Sequence, residues 1–336
     1  MANPDSITST SVPDQNAPSI DVTAISKRIT HNVEHVIVGK RPQIVMALVA
    51  WFSEGHVLLE DVPGVAKTML ARAMARSVGC KFKRIQCTPD LLPTDVTGAS
   101  IFNQKMTEFE FRAGPLFANI VLTDEINRTT PRTQAALLEA MAESRVTVDG
   151  KTYELDQPFL VIATQNPVDH EGTFPLPEAQ LDRFLLRFQL GYPSFDDELK
   201  MLDVVRADHP VNRIKPVTTV EELIACQKAV RDIYVDPKVR EYIMQIVHAT
   251  RTHDDVALGG SPRASIALFR TAQSLAAIRG ADFVKPDDVK RMAPSVLGHR
   301  LILKPESRLR RITAAAVVEE ILDATPIPTI NGTQVG

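Results

Sequence analysis

Lys67 and Thr68 form the pair in this sequence best suited to phosphate chemistry: a cation beside a hydroxyl, directly after the turn Asp61-Val62-Pro63-Gly64-Val65-Ala66. They open a helical pattern continued by Met69, Leu70, Ala73 and Met74. A helix N-terminus presents backbone N–H groups without intrahelical partners and a partial positive charge, so anionic oxygens settle there. In such a loop the lysine reaches the β- and γ-phosphates and the hydroxyl sits on Mg²⁺. The pattern G-x-x-x-x-G-K-[ST] is broken twice, by Asp61 in the first glycine position and Ala66 in the last. Gly64 remains where the loop most needs a positive φ, and Ala66 is compatible if its own φ is negative. Without chemistry, the same residues make a strand, a turn and a helix carrying a surface lysine.

Asp124 and Glu125 end the apolar run Ile120-Val121-Leu122-Thr123. Carboxylates at the C-terminal end of a buried parallel strand lie where open α/β sheets bind ligands. There Asp124 would hold Mg²⁺ and Glu125 would polarise the attacking water as general base. Alone, such a pair is usually structural; one strand after a phosphate loop, it points to ATP or GTP hydrolysis. The next apolar strand, Phe159 to Thr164, leads into Gln165-Asn166-Pro167, which would set the Asn166 amide beside the γ-phosphate. An asparagine before proline is otherwise an ordinary turn residue.

The elements that must position these residues alternate strand and helix, which predicts an α/β fold with a parallel, doubly wound sheet. Val57 to Leu59, Phe82 to Cys87, Asn119 to Thr123, Phe159 to Thr164 and Leu185 to Leu190 are the strands. Order is expected to begin with an amphipathic stretch over Ile25 to Val36, and helices are expected from Pro42 to Gly55, from Pro131 to Ala142 and over Glu178 to Phe184, with Thr88 to Thr97 a proline-broken segment. Two inserted β-hairpins interrupt the alternation: Ala99–Phe102 with Glu108–Phe111, and Arg145–Val148 with Lys151–Leu155 around Asp149-Gly150. Phe102, Phe109 and Phe111 are expected to pack the first hairpin on its own domain. After Pro193 strand signals stop, and helix starts recur at Ser194/Asp197, Thr219/Glu222, Asp236-Pro237 and Ser261-Pro262, ending with a helix over Ile312 to Leu322. The predicted layout is a disordered tail over 1–22, a nucleotide-binding α/β domain over 23–192, an all-helical lid domain over 193–323 and a C-terminal tail over 324–336.

The chain has 336 residues, 44% apolar and 24% charged, with a net charge of −3. That balance disfavours non-specific nucleic-acid binding, and Lys81, Lys83 and Arg84 are expected to be a solvated basic strand edge. Cys80, Cys87 and Cys226 are odd in number and lack metal-ligand spacing, which suits reduced structural thiols in a cytoplasmic protein. Neither a secretory signal nor a run of about 18 apolar residues is expected, so no membrane span is predicted.

Three stretches together give a resemblance: Asp124-Glu125-Ile126-Asn127-Arg128, the run from Gly172 through Phe174, Pro177, Glu178, Leu181 and Asp182 to Arg183-Phe184, and Ser261-Pro262-Arg263-Ala264. They resemble the MoxR family of AAA+ ATPases, over about residues 25 to 323. The resemblance implies that Lys67 and Thr68 are the Walker A residues, Asp124 and Glu125 the Walker B pair, Asn166 sensor 1 and Arg263 sensor 2. It implies that Arg183 is an arginine finger acting on a neighbouring subunit, with Arg187 and Arg128 as secondary candidates. It further implies an adenine pocket lined by Val38 and Gly39, a loop of residues 61–69 around the phosphates, ATP with Mg²⁺, and a homo-oligomeric ring, commonly a hexamer. Such proteins remodel or mature client proteins with a separate partner bearing a von Willebrand factor A domain. Read from the residues alone, Arg183 would be an in-helix partner of Glu178 or Asp182, and Arg263 a solvated first-turn residue. Rival functions are a nucleotide-gated binding scaffold, a nucleic-acid motor and a phosphate-loop kinase.

Overall fold

The structure is a computed structural model that describes residues 20–166, 172–204 and 210–329. Two helices lead the chain, α1 Val22–Glu34 and α2 Arg41–Phe52. The Asp21 side chain caps α1 by accepting from the Ala24 amide, so the first helix and its cap begin inside the stretch expected to be a tail; residues 1–19 lie outside the described residues. The α/β part follows as β1 Val57–Glu60, α3 Lys67–Val78, β2 Phe82–Gln86, α4 Pro93–Thr97, β3 Gly98–Asn103, β4 Glu108–Ala113 and β5 Ile120–Asp124. It continues through α5 Pro131–Glu143, β6 Arg145–Val148, β7 Lys151–Glu154, β8 Leu160–Gln165, α6 Glu178–Leu181 and β9 Leu186–Phe188.

Five of these strands form a parallel sheet in the order β2-β5-β8-β1-β9. The register aligns Gln86 with Asp124, Thr123 with Ala163, and Glu60 with Gln165, so the chain leaves four neighbouring strands at one level. Side chains alternate between the two faces of the sheet. Val57 and Leu59 therefore join one apolar cluster with Leu70 and Met74 of α3, while Leu58 joins another with Val121, Val161, Leu137 and Leu138. All three are fully buried, as a strand covered on both sides requires. Each such side chain contributes roughly 1.5–3 kcal/mol by burial.

Both hairpins form as expected, and the Asp149-Gly150 turn has the two positive φ values, 51° and 76°, that its type needs. The expectation that the first hairpin packs on its own domain holds for Phe111, whose ring stacks on Tyr153 at 3.9 Å. It fails further out, where Phe102 and Phe109 meet edge to face and Phe109 is 72% exposed. The proline-broken segment contains α4, because Pro93 can occupy a first helical turn.

The helical part comprises α7 Phe195–Val204, α8 Val220–Arg231, α9 Pro237–Thr252, α10 Pro262–Arg279, α11 Pro286–Leu297, α12 Pro305–Leu309 and α13 Ala314–Ala324. Thr219 and Glu222 form a reciprocal capping box on α8, and Asp236 and Ser261 cap α9 and α10. Strands do not stop at Pro193: β10 Val256–Leu258 and β11 Ile302–Leu303 pair antiparallel between the helices. Segments of two or three residues carry no readable alternation, which is why this ribbon escapes the sequence. The apolar cluster above β1 runs on through Leu268, Val296 and Val318, so one continuous core joins both parts. Beyond α13, the Lys238 ammonium holds the carbonyl of Thr329, and residues 330–336 of the expected tail lie outside the described residues.

Candidate functional site

The row of strand ends brings together the residues predicted for phosphate chemistry. From β1 the chain turns through 61–66 into α3, whose first-turn amides lack intrahelical acceptors by construction. Gly64 has the positive φ expected of it, 91°. Ala66 does not have the negative φ proposed for it: at φ 62° it adopts the left-handed conformation of the glycine it replaces. A Cβ there costs roughly 1–2 kcal/mol, strain that the fold holds at the phosphate loop.

The Lys67 ammonium donates to the Asp61 carbonyl at 2.8 Å. Burial pulls its pKa below the ordinary lysine value, and the Asp61, Asp124 and Glu125 carboxylates oppose that shift. Lys67 thus lies in the field of the acidic pair. The Asp61 carboxylate itself turns away from the loop and accepts the amides of Leu190 and, at 3.2 Å, Gly191. A negative group in the first glycine position is thereby spent on the segment leading to the lid, and Asp61 faces Lys67 with its backbone oxygen.

Val38 and Gly39 reach the same segment from the other side. The Lys40 ammonium donates to the Tyr192 carbonyl at 2.7 Å, and any Cβ on Gly39, at φ +72°, would run into the Asp197 carboxylate. Residues 38–40, 61–69 and 190–197 therefore meet around one corner of the sheet.

Asp124 and Glu125 stand at the end of β5, two strands from β1. The fully buried Thr164 hydroxyl links them: it donates to Asp124 Oδ1 at 2.7 Å and accepts the Glu125 amide at 2.9 Å. Glu125 has φ 57° and ψ 53°, a strained conformation that starts the 3₁₀ turn Ile126–Arg128. Its carboxylate lies 3.4 Å from the Gln86 amide nitrogen and 3.3 Å from Arg128 Nε. Asp124 Oδ2 accepts two guanidinium bonds from Arg84, at 2.7 and 3.1 Å. Arg84 is thus not simply solvated surface; it pairs with Asp124. Asn166, 9% exposed, follows β8 beside Asp61, whose amide donates to the Gln165 carbonyl.

Arg84, Gln86 and Thr164 were missed as site residues. Arg84 and Gln86 are two apart at the end of a predicted strand and so share a face, which is the signal that could have found them. Among the described residues no group of three His, Cys, Asp or Glu side chains forms a metal cluster. Oxygen donors from Thr68 and Asp124 alone suit Mg²⁺, which keeps several waters and binds through few protein ligands together with phosphates.

The predicted arginines lie elsewhere. Arg183 is outside a helix, because α6 closes at Leu181 and the chain continues in tight turns, Arg183 N–H to Gln180 O and Phe184 N–H to Leu181 O. Its guanidinium donates to Leu138 O, not to Glu178 or Asp182. Residues 182–185 precede β9, and the Leu185 amide donates to His56 O at the start of β1. The phosphate loop follows the far end of β1, roughly 13 Å of strand away. Arg263, in the first turn of α10, lies 4.0 Å from Asp182 Oδ2, and with Arg183 it lines one cavity of about 310 Å³. The secondary candidates are held near the subunit's own strand ends, Arg187 by Glu60 and the Gly298 carbonyl, Arg128 by Glu125.

Cys80, Cys87 and Cys226 are free, and burial pushes each thiol up to about 12. No helix of the described residues is long and apolar enough to cross a membrane.

Residues 56–186 match the model of the ATPase family associated with various cellular activities (AAA), and residues 248–321 match that of the AAA lid domain. The chain is 53% identical to Uncharacterized protein YeaC of Bacillus subtilis, covering 90% of this chain and 95% of that one. It is 41% identical to Chaperone MoxR1 of Mycobacterium tuberculosis, covering 91% and 83%. A crystal structure of a candidate ATPase from Cytophaga hutchinsonii superposes with a TM-score of 0.87 at 37% identity, covering 93% of this chain and 97% of that one.

Proposed function

The chain belongs to the MoxR family of AAA+ ATPases and hydrolyses ATP, and from that premise we propose that each of its active sites is shared between two subunits of a ring. One observation carries this reading: the phosphate loop with Asp124, Glu125 and Asn166 is at one end of the sheet, and Arg183 with Arg263 is at the other. No subunit can bring its own Arg183 across β1 to its own phosphates. In a closed head-to-tail ring, one end of each subunit meets the opposite end of the next.

In this mechanism the α3 amides and Lys67 hold the β- and γ-phosphates of ATP, and Val38 and Gly39 line the adenine side. Thr68 and Asp124 would hold Mg²⁺, which neutralises phosphate charge when bound. Glu125 accepts a proton from water as the water oxygen bonds to the γ-phosphorus and the bond to the bridging oxygen of ADP breaks. Asn166 orients that water. Arg183 of the adjoining subunit stabilises the charge on the transferring group, and Arg263, beside it, acts from the same side in trans. Turnover drives the chaperone-like remodelling of a client protein by a ring, a hexamer in most proteins this chain resembles. A separate protein with a von Willebrand factor A domain is the partner that resemblance implies. Three free thiols suit a reducing compartment, and we assign the protein to the cytoplasm.

Arg183→Ala tests the assignment: turnover falls by about 10³ or more while ATP affinity stays nearly unchanged. Turnover at the wild-type rate contradicts it.

A further inference from the structure

The two residues flanking Arg183 are gripped by a buried arginine of the lid. Arg300 follows α11, and only 3% of its side chain is exposed. Its Nε donates to Asp182 Oδ1 at 2.8 Å, and Nη2 donates to the Phe184 carbonyl at 2.6 Å and the Asp182 carbonyl at 3.4 Å. Nη1 donates to the Leu185 carbonyl at 3.2 Å and to the Val296 carbonyl of α11. Four bonds from a planar fork of five donors thus converge on residues 182, 184 and 185, and the bond to Val296 ties that fork to α11. Arg183 is the residue between them that receives none of these bonds; it is exposed, and its guanidinium rests on the Leu138 carbonyl of α5. Asp182 is also approached by the Ser261 hydroxyl at 3.1 Å, at the cap of α10, so a second lid element bears on the same loop.

We propose that Arg300 is the positioning residue of Arg183: it fixes, from the lid, the backbone on either side of the arginine that one subunit lends to the next. A subunit's lid then controls its neighbour's hydrolysis rather than its own. This rests on the shared-site reading above, in which Arg183 acts in trans. Any lid displacement pulls directly on Asp182 and Phe184, because a buried guanidinium cannot release its acceptors without exposing unpaired polar groups.

The test is complementation in mixed assemblies, with Arg300→Gln and, as a second way to open the same clamp, Asp182→Asn. Each variant alone is expected to lose about 10²-fold in turnover, of the order of a lost transition-state contact, while retaining ATP binding. Each is then mixed in equal amounts with Glu125→Gln, which has an intact Arg183 but a dead site of its own. In a randomly mixed ring roughly a quarter of the interfaces join a live site to an intact arginine, so turnover recovers to about a quarter of wild type. A merely structural defect would disable the variant's own site and give no recovery. Arg183→Ala mixed with Glu125→Gln is the control. If the control recovers and neither clamp variant does, or if both clamp variants alone turn over at the wild-type rate, the role of Arg300 is overturned and the shared site stands. If the control does not recover, the shared-site reading itself falls, and this inference with it.

Discussion

Replacing Thr164 with valine removes one hydroxyl and keeps its volume, so it isolates the link between Asp124 and Glu125. Two bonds disappear together: the donation to the Asp124 carboxylate at 2.7 Å and the acceptance of the Glu125 amide at 2.9 Å. A hydrogen bond to a charged acceptor is worth about 1.5–3 kcal/mol, and an amide left without a partner costs about 1–3 kcal/mol. Because Thr164 is fully buried, water cannot replace the hydroxyl, and the expected loss of stability is about 2–4 kcal/mol. The same loss frees Glu125 from its left-handed conformation, which the Thr164 contact helps to hold. A loss of about 1.5–3 kcal/mol of alignment corresponds to roughly a 10- to 150-fold fall in turnover. Denaturant midpoints and phosphate release at saturating ATP would be measured on Thr164→Val, with Thr164→Ser as the variant that keeps the hydroxyl. The reasoning is refuted if Thr164→Val stays within about 0.5 kcal/mol of wild type and turns over at full rate.

Two further outcomes follow from the structure. His56 accepts the Val161 amide on Nδ1 and pairs Nε2 with the Met141 carbonyl, an arrangement only the neutral ring with its proton on Nε2 can make; burial lowers its pKa to about 4. The unfolded chain takes up that proton near pH 6.5, so His56 contributes about 3 kcal/mol of stability above pH 6.5 that is lost as the pH falls toward 4, and a His56→Gln variant whose melting temperature falls as steeply with acid as wild type contradicts this. Arg84→Gln removes the cation on Asp124, and because that side chain is 48% exposed the contact is worth only about 0.5–1 kcal/mol; the half-saturating Mg²⁺ concentration for ATP binding should fall by about two- to fivefold, and a rise would contradict the placement.

The strands around the site were legible because each buried strand is a short apolar run closed by a polar signal: Val57 to Leu59 before the loop, Ile120 to Leu122 before Asp124, Leu160 to Ala163 before Asn166. The caps on α8, α9 and α10 were legible for the same local reason. What stayed hidden depends on non-local pairing. The residue type of Ala66 does not disclose a positive φ, since the loop around it, not its own preference, sets the backbone. Arg84 looks like any basic residue on a strand edge until β2 is laid beside β5, and Arg300 looks like any basic residue after a helix until α11 packs against residues 182–185. The position of Arg183 opposite its own phosphate loop likewise follows from the parallel pairing of β9 with β1, which spacing along the chain does not encode.

The central claim is a site completed by a second subunit, and the most direct measurement is ATP turnover per subunit across a dilution series with assembly mass read at each concentration by mass photometry, with and without Mg·ATP. The account predicts that turnover per subunit rises in step with the population of nucleotide-loaded rings and that Glu125→Gln forms the ring but hydrolyses nothing. A monomer that turns over ATP at a rate independent of concentration would contradict it.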